Sequence, residues 1–261
     1  MHTTKSTSLI VPHFNNPSTV GKVIESGLAS GADELIVVDD GSNPSSRRAL
    51  MRLVDGERVR LVRCPTNQGD GAARRVGILH AQNDILGFCD ADLASISADG
   101  LAKLFQPVLS GKFDLAIGAL CYQEGTEPRL NNYLAMPLLR QFAPELSGFV
   151  SSPLSGIRVT RREFVFPHRM DPRSCMMGMT LDAWHAGARI CEVDIGLIEN
   201  PKKPAAQKAF RADLILESAL RRFEEWGLLA IHSTARNKKS LTFLPEVRRA
   251  TALVNTASPT F

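Results

Sequence analysis

The chain has 261 residues, of which 44% are hydrophobic, 22% charged and only 6% aromatic. That is enough for one large α/β domain or two small ones. No apolar run reaches the roughly 18 residues that a membrane-spanning helix needs. Met1–Ser8 is polar and lacks a signal-peptide core, and the five cysteines show no CxxC spacing, so reduced thiols in a cytoplasmic protein are expected. The net charge of +4 is uneven: residues 201–249 carry 11 Lys/Arg against 5 Asp/Glu, and the rest 20 against 22. The first two hundred residues therefore offer no basic surface for nucleic acid.

Taken in chain order, Thr7–Val11, Glu34–Val38, Val59–Val62, Ile85–Cys89 and Leu115–Ile117 read as buried strands. Helical spacing runs through Ser18–Ser30, Pro44–Leu53, Gly71–Ala81 and Ala98–Leu109 between them. Alternation of this kind predicts a mostly parallel sheet with helices on both faces, whose ligands bind at the carboxyl ends of the strands. Those ends are polar: Pro12-His13-Phe14-Asn15-Asn16 after the first strand, Asp39-Asp40-Gly41-Ser42 after the second, and Asp90-Ala91-Asp92 after the fourth. Asn67-Gln68-Gly69-Asp70-Gly71 follows the third. Gly69 and Gly71 are expected to open the N–H groups of the next helix to a diphosphate. Asp90 and Asp92, two apart on an extended segment, are expected to face one hard cation, Mg²⁺ or Mn²⁺.

Further on, Phe210, Leu214, Leu216, Leu220, Phe223 and Trp226 mark a long amphipathic helix, read as packing on the main domain or on a second subunit. Arg211, Arg221 and Arg222 beside it are also compatible with peripheral membrane contact. The segment from Ala250 is expected to be a mobile tail. The divisions expected are 1–120, 121–204, 205–249 and 250–261.

In order and spacing, Ile10–Asn15, Val37–Ser42, Asn67–Gly69 with Gly71–Arg74, and Phe88–Leu93 resemble the nucleotide-binding half of GT-A-fold glycosyltransferases. Pro137-Leu138-Leu139, Ala143–Gly148, Pro153–Gly156, Arg161–Glu163 and Val193–Gly196 resemble the glucosyl-3-phosphoglycerate synthase family and its retaining relatives. The resemblance implies a GT-A (Rossmann-like) sheet flanked by helices with a helical C-terminal extension. It also implies a UDP- or GDP-sugar donor, a small hydroxyl acceptor such as 3-phosphoglycerate, a divalent metal and a homodimer.

Carried over by residue, Pro12, Asn16, Asp40, Gly69, Gly71, Arg74 and Asp90 would meet the nucleotide, and Leu154, Ser155 and Gly156 the donor sugar. Arg129, Asn131 and Lys202 would meet the acceptor. Asp92, Asp90 and Asn200 would hold the metal, with Asp92 and Asp182 catalytic, the latter from a helix N-terminus. Three positions differ from the family: Asn200 replaces a histidine, Asp70 a basic residue and Met176 an acid. Two alternatives follow, a homologue that binds nucleotide sugar without turnover and a nucleotidyltransferase. The latter is disfavoured because Pro12–Asn16 is no glycine-rich basic loop.

Overall fold

A computed structural model describes residues 6–121, 130–197, 205–233 and 239–243. The first half alternates strictly: β1 (Thr7–His13), α1 (Val20–Ala29), β2 (Glu34–Asp40), α2 (Pro44–Met51), β3 (Val59–Cys64), α3 (Asp70–His80), β4 (Ile85–Phe88), α4 (Ala98–Leu109) and β5 (Leu115–Cys121). Then come a π-helical turn (Asn131–Ala135), α5 (Met136–Phe142), α6 (Pro144–Ser147), β6 (Arg158–Arg161), α7 (Met176–His185), β7 (Ile190–Leu197), α8 (Ala205–Glu225) and the hairpin β8 (Leu229–Ser233) and β9 (Lys239–Phe243).

Seven strands form one sheet in the order β3-β2-β1-β4-β6-β5-β7. All pairings are parallel except those of β6, which runs against both β4 and β5. Every residue of β1 and β2 is buried, as expected of strands covered on both faces. Along β1, Leu9 and Val11 pack under α1 and α4, while Ile10 faces α3, the period-two alternation of a strand. Pro12 is tolerated in this central strand because pairing with β4 ends at Ile10 opposite Phe88. On that side its missing N–H therefore costs no ladder bond.

The second half builds its own apolar cluster, in which Met177 and Leu181 of α7 and Ile215, Ala219 and Phe223 of α8 meet Leu139 and Phe142 of α5. Phe142 stacks on Phe223 at 4.4 Å, and His185 on Trp226 at 4.1 Å. The buried stripe of α8 is Ile215, Ser218, Ala219, Arg222 and Phe223, whereas Phe210 is 52% and Leu216 36% exposed. This corrects the expected face, because Arg222 lies inside the stripe and Phe210 and Leu216 outside it. Among the described residues no helix is long and apolar enough to cross a membrane.

Candidate active site

The loops after β1 and β2 are knitted together below the sheet's carboxyl edge. His13 is 1% exposed, and its Nε2 accepts the Asn16 N–H at 3.2 Å. Its ring proton therefore sits on Nδ1, which lies 3.2 Å from Ser42 Oγ and 3.8 Å from Asp39 Oδ1. Burial pushes its pKa down, against the raising influence of Asp39. His13 is thus a neutral internal strut and not a wall of the cleft. Asn15, at φ 54°, takes up the sharp bend; its N–H donates to Ser42 Oγ, and its Oδ1 accepts the Asn43 N–H.

Asp40 is 2% exposed. It accepts the Gln68 N–H at 2.9 Å and the Gly69 N–H at 2.8 Å, one on each carboxylate oxygen. Its observed work is to bend the glycine-rich loop toward the end of β2; Pro12 is buried and Asn16 half-buried beside it.

The glycine-rich loop departs from expectation. The Gly71 and Ala72 N–H groups donate to the Pro172 carbonyl at 2.8 and 3.0 Å, so these two donors at the N-terminus of α3 are taken by protein and are not open to a diphosphate. The glycines make room for that cap. A Cβ on Gly71 would fall 2.0 Å from the Asp171 carbonyl oxygen, and one on Gly69 would fall 2.5 Å from that of Pro172. Gly69 also has φ +107°, a conformation side chains avoid.

Arg74, in the second turn of α3, is fully buried. Its Nη1 donates to Asp70 Oδ2 at 3.0 Å and its Nη2 to Asp90 Oδ1, and the Asp90 charge raises its already high pKa against the opposing effect of burial. Asp90 in turn lies against Gly156: a Cβ there would fall 2.2 Å from Asp90 Oδ2. The acid that ends the β4 segment and the loop that begins β6 thus share one spot. β4 stops at Phe88, and residues 90–93 make a turn in which the Asp90 carbonyl accepts the Leu93 N–H at 3.4 Å. Asp90 and Asp92 therefore flank the buried Ala91 on a turn, half-exposed, and not on the extended segment expected.

The 153–156 loop is held from beneath by Arg158, which is 0% exposed. Its guanidinium donates to the carbonyls of Pro153, Ser155 and Met176 and to Thr180 Oγ1. No carboxylate bonds to it among the described residues, and burial lowers its pKa to about 10. Ser155 is also fully buried, its hydroxyl folded back on Ile157, while Leu154 is half-buried against the second apolar cluster. Sequence reasoning missed Arg158. An arginine between Ile157 and Val159 in a strand is the signal that finds it.

Asp182 is corrected as well. It lies beyond the first turn of α7, 6% exposed. Its oxygens bond Arg169 Nε at 2.8 Å and Arg222 Nε and Nη2 at 2.9 and 2.7 Å. It is an ion-pair anchor for α8, and neither a helix-terminal nor a free acid. Met176 packs into the core over Ile10 and Phe88. Asn131 is 3% exposed in the π-helical turn, its amide nitrogen on the Ser151 carbonyl and its Oδ1 without a partner. Arg129, Asn200 and Lys202 lie outside the described residues. A shallow hollow near Lys103, Lys112 and Phe113 lies between α4 and the start of β5, at the opposite edge of the sheet from these groups.

The donor set at Asp90 and Asp92 is all oxygen, which suits a hard divalent cation. No cluster of three His, Cys, Asp or Glu able to hold a metal occurs among the described residues. The two carboxylates therefore fit a cation that shares its remaining positions with ligand oxygens and water.

A wound, mostly parallel sheet with an acidic turn at its carboxyl edge and one reversed strand is the GT-A architecture. Residues 8–165 match the family described as Glycosyl transferase family 2, and the chain belongs to that family. It is 26% identical to glucosyl-3-phosphoglycerate synthase of Mycolicibacterium smegmatis over 237 residues, covering 84% of this chain and 78% of that protein. It is 35% identical over 128 residues to an uncharacterized glycosyltransferase of Haemophilus influenzae, covering 47% of this chain and about half, 51%, of that one. Among solved structures, glucosyl-3-phosphoglycerate synthase of Mycobacterium tuberculosis in complex with Mn²⁺, UDP and phosphoglyceric acid superimposes with a TM-score of 0.73 at 25% identity. That match covers 92% of this chain and 87% of the other. The same synthase is also solved with Mg²⁺ and UDP.

Proposed function

We propose that this family 2 glycosyltransferase moves a hexose from a UDP- or GDP-sugar to a small hydroxyl acceptor, with 3-phosphoglycerate as the first acceptor to try, and with retention of configuration. The observation that carries the reading is the contact of Gly156 with the Asp90 carboxylate, which joins the candidate donor-sugar loop to the candidate cation site. Pro12, Asn16 and Asp40 border the nucleoside, and Leu154, Ser155 and Gly156 the sugar. Asp92 and Asp90 hold Mg²⁺ or Mn²⁺; such an ion supplies positive charge to the departing diphosphate. Arg74 fixes Asp90 in place. Arg129, Asn131 and Lys202 are assigned to the acceptor, Asn200 is a further candidate ligand for the cation, and the working unit is a homodimer. No side chain on the described part of the site is placed as a covalent nucleophile, so attack and departure on one face is the route proposed.

The test is release of nucleoside diphosphate from a panel of nucleotide sugars with Mn²⁺ or Mg²⁺, with and without 3-phosphoglycerate. Acceptor-stimulated release with one donor is expected. Neither binding nor hydrolysis of any donor with either metal overturns the reading. One observation favours a second reading, a binding protein without turnover: the single acid of α7, Asp182, is locked between two arginines. Tight binding of UDP without turnover across the panel would select it.

A further inference from the structure

We infer that Arg173 and Arg211 form a two-armed clamp for the diphosphate of the donor, built over the glycine-rich loop from the segment before α7 and from α8. The inference rests on the proposed use of a nucleotide sugar and assigns charges that the loop itself does not supply. Five backbone donors of the loop and the first turn of α3 are already engaged by protein. Gln68 and Gly69 give their N–H groups to Asp40, Gly71 and Ala72 to the Pro172 carbonyl, and Ala73 to the Gly69 carbonyl. Asp70 and Asp90 are acidic, and the cation between them, Arg74, is 1% exposed and engaged by both. A diphosphate entering here therefore finds no open cation in this trio. Beyond a shared metal ion, it needs side-chain cations from elsewhere in the chain.

Two arginines border the loop, one by its stem and one by its guanidinium. The stem of Arg173 lies across Gly69, its Cγ 2.7 Å from where a Cβ would stand. Its side chain is exposed and has no hydrogen bond or ion pair among the described residues. Arg211 reaches in from α8 to donate from Nη2 to Asp70 Oδ2 at 3.3 Å, and its side chain remains 38% exposed. Asp70 is thus an anchor that aims Arg211, and the planar fork of each arginine matches phosphate oxygens. As a fold-stabilising pair, Arg211–Asp70 is worth little, since part-exposed ion pairs are screened by solvent. Its removal therefore leaves a folded protein to measure.

The experiment is calorimetric titration of the full chain with UDP, uridine and inorganic pyrophosphate in Mg²⁺, using wild type, Arg173→Ala, Arg211→Ala, the double variant and the two Arg→Lys variants. Each alanine variant should weaken UDP and pyrophosphate about tenfold and leave uridine affinity and the melting temperature unchanged. The lysine variants should recover part of the loss. A double variant that binds UDP and pyrophosphate as wild type does, or that loses uridine to the same degree, overturns the clamp. If wild type binds pyrophosphate through these arginines but no nucleotide, the clamp stands and the nucleotide-sugar reading falls. If it binds neither, both fall.

Discussion

Gly156 has no room for a side chain. Because its Cβ position is 2.2 Å from Asp90 Oδ2, Gly156→Ala must push Asp90 off Arg74 or lift the loop. Donor hydrolysis should fall by at least about tenfold, as expected when a binding group is misplaced by an ångström, with a far smaller change in melting temperature. Steady-state rates beside a thermal melt check this.

Asp114 gives a second expectation at the residue scale. Hydrogen bonds from the Arg189 side chain and backbone, at 2.8 and 2.9 Å, hold its pKa near 2 against an ordinary 3.8. A carboxylate with a depressed native pKa contributes stability above its unfolded pKa and loses it as pH falls through the native one. The melting temperature should therefore drop between about pH 4 and pH 2, and Asp114→Asn should flatten that drop.

α7 and α8 are joined by charge as well as by apolar contact. Arg222, 1% exposed, bonds both oxygens of Asp182, the Arg169 carbonyl and Ser218, and Gly178 leaves the space its guanidinium fills, a Cβ there falling 2.6 Å from it. Asp182→Ala would leave Arg222 buried beside a vacated acid, a change that costs about 3–5 kcal/mol. Urea denaturation should show that loss, and kcat should remain near wild type where the variant stays folded; a catalytic Asp182 would reverse the two effects. The strands β1 to β5 and helices α1 to α4 were legible because apolar runs of strand length alternate with helical spacing. β6 was not, since its four residues Arg-Val-Thr-Arg look like surface. The inner face of α8 was hidden for a related reason: its stripe includes Ser218 and Arg222, whose burial depends on Asp171 and Asp182.

At the scale of the molecule, the acidic pair Asp90 and Asp92 following β4 could be read from motif order, but neither the turn that carries it nor its contact with Gly156 could. The cap on α3 could not, because Pro172 lies a hundred residues beyond the loop it closes and nothing local announces it. α8 makes contacts over comparable separations along the chain. α8 covers Leu139, Met177 and Leu181 and sends Arg211 to Asp70. A chain ending before Ala205 should therefore uncover this apolar cluster and aggregate. Size-exclusion chromatography of the truncated chain beside the full one tests that expectation.

The reversal of β6 has a consequence for how this scaffold diversifies. In an all-parallel sheet the catalytic rim is furnished only by what comes after each strand. A strand threaded backwards contributes what comes before it, so the stretch from the π-helical turn to Gly156 hangs from the rim like a bracket fixed at its far end. Its length and lining can be recut while β1, β2 and β4, which carry the other loops of the candidate site, stay undisturbed.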